Sequence, residues 1–181
     1  MTGARVLDAW YTALAGVTSA VGAFIRDASD RVLLAQPTYK EDWVLVGGTV
    51  DGGESPTAAL RREIAEELGL PVGSGPVVGR LLVTDWIPPQ AGWNRPMHHL
   101  VFDCGIVEPP ELAGSAVPRG ELHGVEFVPV RRALRLLAPH EARRLEMAIA
   151  ARETGQHFYL ESGRRPDLRQ YSHPVTKGAG R

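Results

Sequence analysis

The stretch from Gly47 to Pro71 constrains the fold more than any other part of the chain, because it carries its own punctuation. Ser55 is a good N-cap, Pro56 suits the first helical position, and Gly69 followed by Leu70-Pro71 supplies a stop, so a helix is predicted between Ser55 and Gly69. Helical positions advance by about 100° per residue. Leu60, Ile64 and Leu68 therefore share an apolar stripe, and Glu63, Glu66 and Glu67 fall within one adjoining arc. Like charges at such spacings destabilise a helix by about 0.2–0.5 kcal/mol per pair, so the carboxylates call for a compensating cation. Oxygen ligands of this hardness select Mg2+ or Mn2+. Taken alone, Arg61 and Arg62 could neutralise the face and leave it solvated. The residues upstream change that reading: Trp43-Val44-Leu45-Val46 is strand-like and runs into Gly47-Gly48, where the backbone must turn tightly or let something approach closely.

The chain of 181 residues has room for one domain and not for a second large one. With 44% hydrophobic and 23% charged residues it can bury a real core. Its 20 basic and 21 acidic residues argue against a protein that binds duplex nucleic acid, whose affinity rests on a basic face. One cysteine, Cys104, excludes an internal disulfide framework and a cysteine-rich zinc site, as expected of a reducing cytosol. It reads as a small hydrophobe in a strand. No apolar run approaches the roughly 18 residues of a membrane helix and no signal peptide is convincing, so a cytoplasmic location away from membranes is expected.

Val6, Leu7, Trp10 and Leu14 have the spacing of a short amphipathic helix, assigned to residues 1–17. Ala20–Arg26 and Val32–Ala35 flank the turn residues Asp27–Asp30 and predict a β-hairpin. Val77–Trp86, Leu100–Val107 and Val125–Val130 read as strands, and Arg131–Leu137 and His140–Glu153 as helices broken at Pro139. Strands and helices mix without strict alternation, which implies a mixed α+β (α/β) fold in one layered domain. Residues 156–181 read as a C-terminal tail.

From Gly48 to Leu70 the order is Gly48, five residues, Glu54, seven residues, Arg62-Glu63-Ile64, one residue, Glu66-Glu67, one residue, Gly69-Leu70. This resembles the Nudix box without a departure. The resemblance implies an α/β/α sandwich with a mixed sheet, placed over residues 18–155. It also implies an Mg2+-dependent (or Mn2+-dependent) hydrolase cleaving the diphosphate linkage of a nucleoside diphosphate joined to another moiety, such as ADP-ribose or a sugar nucleotide. Sanitation of oxidised nucleoside triphosphates is the alternative. An isoprenoid diphosphate isomerase is disfavoured, since it uses a catalytic cysteine upstream of a degenerate box whereas Cys104 lies downstream of an intact one. A non-catalytic nucleotide sensor commonly has an eroded box or an attached DNA-binding domain, and this chain has neither.

By the same resemblance Glu63 and Glu67 are metal ligands, Glu66 is a ligand or the general base, and the Gly48 carbonyl completes a site. Glu54 and Arg62 pair to brace the loop against the helix. A base from outside the box is also known in the family; Glu121 is the candidate, with Glu126 behind it. Tyr39, Lys40, Trp86, Trp93, Arg95 and His98 are the candidate substrate contacts. His99 is weighed beside His98, and because neighbouring strand residues point to opposite faces only one of the two can face a given pocket. Subtype markers for ADP-ribose, NADH and diadenosine polyphosphate hydrolases are absent. The partner implied is a nucleotide-type small molecule, and homodimerisation is common among relatives.

Overall fold

The computed structural model describes residues 16–71, 75–90, 92–108 and 120–167. The helix expected within residues 1–17 lies outside the described residues except at Gly16 and Val17. Seven strands form one mixed sheet: β1 (Thr18–Arg26), β2 (Val32–Pro37), β3 (Val44–Leu45), β4 (Leu81–Ile87), β5 (Met97–Ile106), β6 (Leu122–Val128) and β7 (Phe158–Glu161). Their order is β3-β2-β1-β5-β4-β7, with β6 also paired to β2. Helix α1 (Pro56–Leu68) covers one face; α2 (Val130–Leu136) and α3 (Pro139–Thr154) cover the other.

Each face has its own core. Val21, Ala23 and Ile25 of β1 pack against Leu60, Ile64 and Leu68 of α1, while Phe24 joins Val101, Leu145, Ala148 and Leu160 on the opposite side. Covered on both faces, β1 needs a continuous apolar run rather than an alternating one, and that is what its sequence supplies. Burying a leucine or isoleucine of the α1 stripe contributes about 1.5–3 kcal/mol. The caps of α1 are those expected: Ser55 Oγ accepts from Ala58 N–H, and Gly69 ends the helix in the left-handed conformation at φ 61°.

One expectation is refined and one corrected. First, the β1–β2 hairpin forms but its ladder is short: the strands pair antiparallel across the turn, with Arg26 opposite Val32. The chain from Val46 to Val50 takes the edge of β1 instead, with Val21 N–H donating to Gly48 O (2.8 Å), Ala23 N–H to Val46 O (2.8 Å) and Val50 N–H to Ser19 O (2.9 Å). β3 is short for the same reason: Val44 and Leu45 pair with β2, and the next residues cross to β1. Leu45, Gly47 and Gly48 at the crossing line a cleft. Second, the segment read as a tail from residue 156 carries β7, which pairs in parallel with β4 from Val83↔Phe158 to Trp86↔Glu161. Buried Phe158 and Leu160 hold it to the second core. No helix among the described residues is long and apolar enough to cross a membrane.

Candidate active site

The cleft contains a cavity of about 260 Å3 lined by Gly47, Gly48, Thr49, Glu63, Glu67 and Glu121 towards α1, and by Tyr39, Leu45, His99, Glu141 and Arg144 towards α3. The glycine corner is built for close approach. Gly47 has φ 146°, and a Cβ there would lie 2.1 Å from Val21 O. A Cβ on Gly48 would lie 2.4 Å from Glu63 Oε1, so a side chain there would displace that carboxylate from its present position against the backbone. The Gly48 carbonyl accepts from Val21 N–H and keeps a second lone pair.

Arg62 organises the acidic face. Its Nε and Nη2 donate to the two oxygens of Glu54 (3.2 and 3.0 Å), Nη2 also donates to Thr49 O (3.1 Å), and Nη1 reaches Glu63 (2.8 Å) and Glu66 (3.2 Å). The loop carrying Glu54 is thereby tied to α1. Hydrogen bonding to Arg62 lowers the proton affinity of Glu54. Glu67 differs: it accepts from Gly47 N–H (2.7 Å), and burial, reinforced by Glu63 and Glu121, pushes its carboxyl up to about 8. Burial likewise raises Glu63. Among the described residues no three His, Cys, Asp or Glu side chains converge on one point, which like-charged carboxylates resist unless a cation sits between them. Glu63 and Glu121 add to the raised proton affinity of Glu67, and Glu121 adds to that of Glu63, across one cavity; that hard-oxygen, excess-negative donor set fits a divalent cation.

Of the residues singled out from sequence, Gly48, Glu63, Glu67, Glu121 and Tyr39 line this cavity. Tyr39 stands 77% exposed at its rim. Glu121 is positioned by Thr38, whose N–H and Oγ donate to the Glu121 carbonyl (2.8 and 3.2 Å). Glu66 is outside the lining, its carboxylate 59% exposed and paired with Arg62. Glu126 is turned to Arg132 (2.8 Å). Lys40 reaches the cavity through Glu141, 3.6 Å away. Trp93 and Arg95 line a separate cavity of about 510 Å3 with Thr18, Gln90, Gly92 and Asn94. Trp86 and His98 face each other in register on β4 and β5, outside both cavities.

The strand alternation turns His99, rather than His98, into this cavity. Its Nδ1 lies 2.7 Å from Arg144 Nη1. Arg144 is itself buried and held by Asp85 through Nε (3.0 Å) and Nη2 (2.9 Å), and Asp85 accepts from Gly163 N–H as well (2.9 Å). Sequence reasoning missed Asp85, Glu141 and Arg144. The available signals were an aspartate inside the apolar run Leu81–Ile87 and the i, i+3 spacing of Glu141 and Arg144 on one helix face.

Comparison with known proteins agrees with this geometry. The family model for the NUDIX domain matches residues 16–149, well over half of the chain. A protein of Mycobacterium tuberculosis named "Putative 8-oxo-dGTP diphosphatase 2" is 35% identical over 120 residues, covering 61% of this chain and 79% of the relative. Among solved structures, a UDP-X diphosphatase superposes with TM-score 0.62 at 22% identity, covering 88% of this chain and 75% of the other. The NUDIX domain of Shewanella oneidensis NrtR, complexed with ADP ribose, gives TM-score 0.63 at 21% identity, covering 86% and 100%. At those identities the likeness is one of fold. The intact glycine and glutamate pattern, the sandwich that presents it and the matching domain lead to one conclusion: the chain belongs to the Nudix family of pyrophosphohydrolases.

Proposed function

We propose that this protein hydrolyses the diphosphate linkage of a nucleoside diphosphate joined to another moiety, such as ADP-ribose or a sugar nucleotide, with Mg2+ or Mn2+ as cofactor, in the cytoplasm. The observation that carries the reading is the meeting of Glu63, Glu67, Glu121 and the Gly47-Gly48 corner in one cavity wall. A divalent cation, when bound, screens the phosphate charge and makes a bound water more acidic. Glu63, Glu67 and the Gly48 carbonyl would hold it, and the Glu54–Arg62 pair would keep the loop and helix in register. Glu121, whose main chain is held by Thr38 and which lines the same cavity, would take a proton from the attacking water. Glu66 keeps its carboxylate on Arg62 and acts as a brace in this arrangement.

The charges in the cavity wall favour a nucleoside diphosphate derivative over a triphosphate. Arg144 is the cationic side chain in the lining and Asp85 already neutralises it, and Lys40 is likewise paired with Glu141, so a further phosphate would meet no unpaired cation among the lining residues. A second reading, hydrolysis of oxidised nucleoside triphosphates, is favoured by the Mycobacterium tuberculosis relative. A substrate panel with Mg2+ separates them by product: nucleoside monophosphate plus a phosphorylated moiety, or nucleoside monophosphate plus pyrophosphate. No release from any substrate would refute both.

A further inference from the structure

The cavity beside α1, about 260 Å3, is smaller than the roughly 300–1,000 Å3 of pockets that enclose drug-sized ligands, so part of a nucleoside diphosphate derivative lies outside it. The second cavity, about 510 Å3, is a neighbouring space. Its Thr18 stands two residues before Ala20 of the first cavity, about 7 Å along β1 at the rise of a strand, and Val50 N–H, from the loop after the glycine corner, donates to Ser19 O between them. The wall of the second cavity is held in place. Gln90 and Trp93 exchange both backbone hydrogen bonds at 2.9 Å around Gly92, whose φ of 83° suits glycine. Trp93 Nε1 donates to Thr18 Oγ1 (3.3 Å), and that hydroxyl donates to Pro96 O (3.1 Å). The polar atom of the indole is thereby satisfied, and what the half-buried ring has left to offer is its π face. Arg95 is exposed and forms no ion pair among the described residues. Its Nη1 lies alongside Gly16, 3.3 Å from where a Cβ would stand.

We infer that the second cavity receives the moiety on the far side of the diphosphate and selects a second nucleotide there, with Trp93 stacked on its base and Arg95 paired with its phosphate. The inference rests on the reading of the first cavity as a diphosphate hydrolase site, and it names the substrate class as a dinucleotide. A base stacked on an aromatic side chain gains roughly 5- to 150-fold in affinity, and an arginine fork matches phosphate oxygens. A sugar without a base suits this wall less well. Sugar hydroxyls donate best to carboxylates, and the described residues of the lining include none. The Thr18 hydroxyl is already engaged by Trp93 and Pro96. The amides of Gln90 and Asn94 each carry donors and an acceptor, the combination that base edges present.

Equilibrium binding of the full chain in EDTA, where turnover does not interfere, tests this with two ligands that share one nucleoside diphosphate half: a dinucleoside diphosphate and a sugar nucleotide. The dinucleoside diphosphate is expected to bind at least about fivefold more tightly. Trp93→Ala collapses that ratio, whereas Trp93→Phe, which keeps an aromatic face without the bond to Thr18, retains most of it. Arg95→Glu, a change to an exposed side chain, weakens both ligands severalfold, since each carries a phosphate on that side. In turnover assays the loss in Trp93→Ala falls on KM rather than kcat. Equal affinity of the wild type for the two ligands, an unchanged ratio in Trp93→Ala, or a ratio lost as fully in Trp93→Phe overturns the inference. Both ligands unaffected by Arg95→Glu also overturns it. A wild type that shows the preference but hydrolyses neither ligand with Mg2+ refutes the proposed activity and leaves the subsite standing.

Discussion

Asp85→Ala tests the buried network behind the cavity. Asp85 is 0% and Arg144 2% exposed, and the carboxylate accepts two guanidinium bonds and the N–H of Gly163. Deleting the acid leaves a guanidinium charge stranded beneath α3, for which breaking a buried pair costs about 3–5 kcal/mol. A chain of this size loses roughly 2–4 °C of melting temperature per kcal/mol, so the variant should melt roughly 6–20 °C lower. Set against a typical stability of about 5–15 kcal/mol, that is a large fraction. Urea denaturation of wild type, Asp85→Ala, Arg144→Met and the double variant measures both the loss and the coupling. The double variant should recover much of it, because removing both charges removes the uncompensated one. A cost below about 1 kcal/mol for Asp85→Ala, or strict additivity in the cycle, would refute the claim that the pair is a dry, mutually dependent unit.

Glu67→Gln should reduce kcat by roughly 10²–10³, a loss typical of removing one charge-stabilising group, without lowering the melting temperature, since it neutralises a buried carboxylate; a loss under tenfold in the hydrolysis assay would count against its role as a metal ligand. Chelation by EDTA should abolish hydrolysis, and added Mg2+ or Mn2+ should restore it. Gly47→Ala should destabilise the fold by more than about 2 kcal/mol in a denaturation curve, because φ is 146° and the new Cβ would meet Val21 O at 2.1 Å. Cys104 is buried and its thiol is pushed up to about 12 by burial, so a thiol reagent at pH 8 should react only after denaturation. The folded thiol holds its proton more tightly than the unfolded one, so this group makes stability fall as pH rises above the unfolded value, near 8.5, towards 12.

Much of α1 is legible in the sequence because its information is local. Ser55, Pro56 and Gly69 satisfy the helix ends by themselves, and a period of 3.6 residues places Leu60, Ile64 and Leu68 against the sheet with Glu63 and Glu67 beside them. The β1–β2 hairpin forms as its turn residues indicate, but its ladder is short because pairing is not local: residues 46–50 take the strand edge of β1 beyond Arg26 and Val32. Trp93 and Arg95 lie in a loop that borders a different cavity, which nothing in the order of residues could indicate.

One end of the cavity is legible from local spacing: an acidic helix face that calls for a cation and a glycine corner through which backbone can approach it, all between Gly47 and Leu70. The other end takes shape only on folding. His99 comes from β5, Glu141 and Arg144 from α3, and Asp85 from β4, elements that meet through a buried ion pair and a sheet order unrelated to chain order. A helix encodes its own face in its period, whereas a wall assembled from three distant segments exists only once the core that packs them has formed.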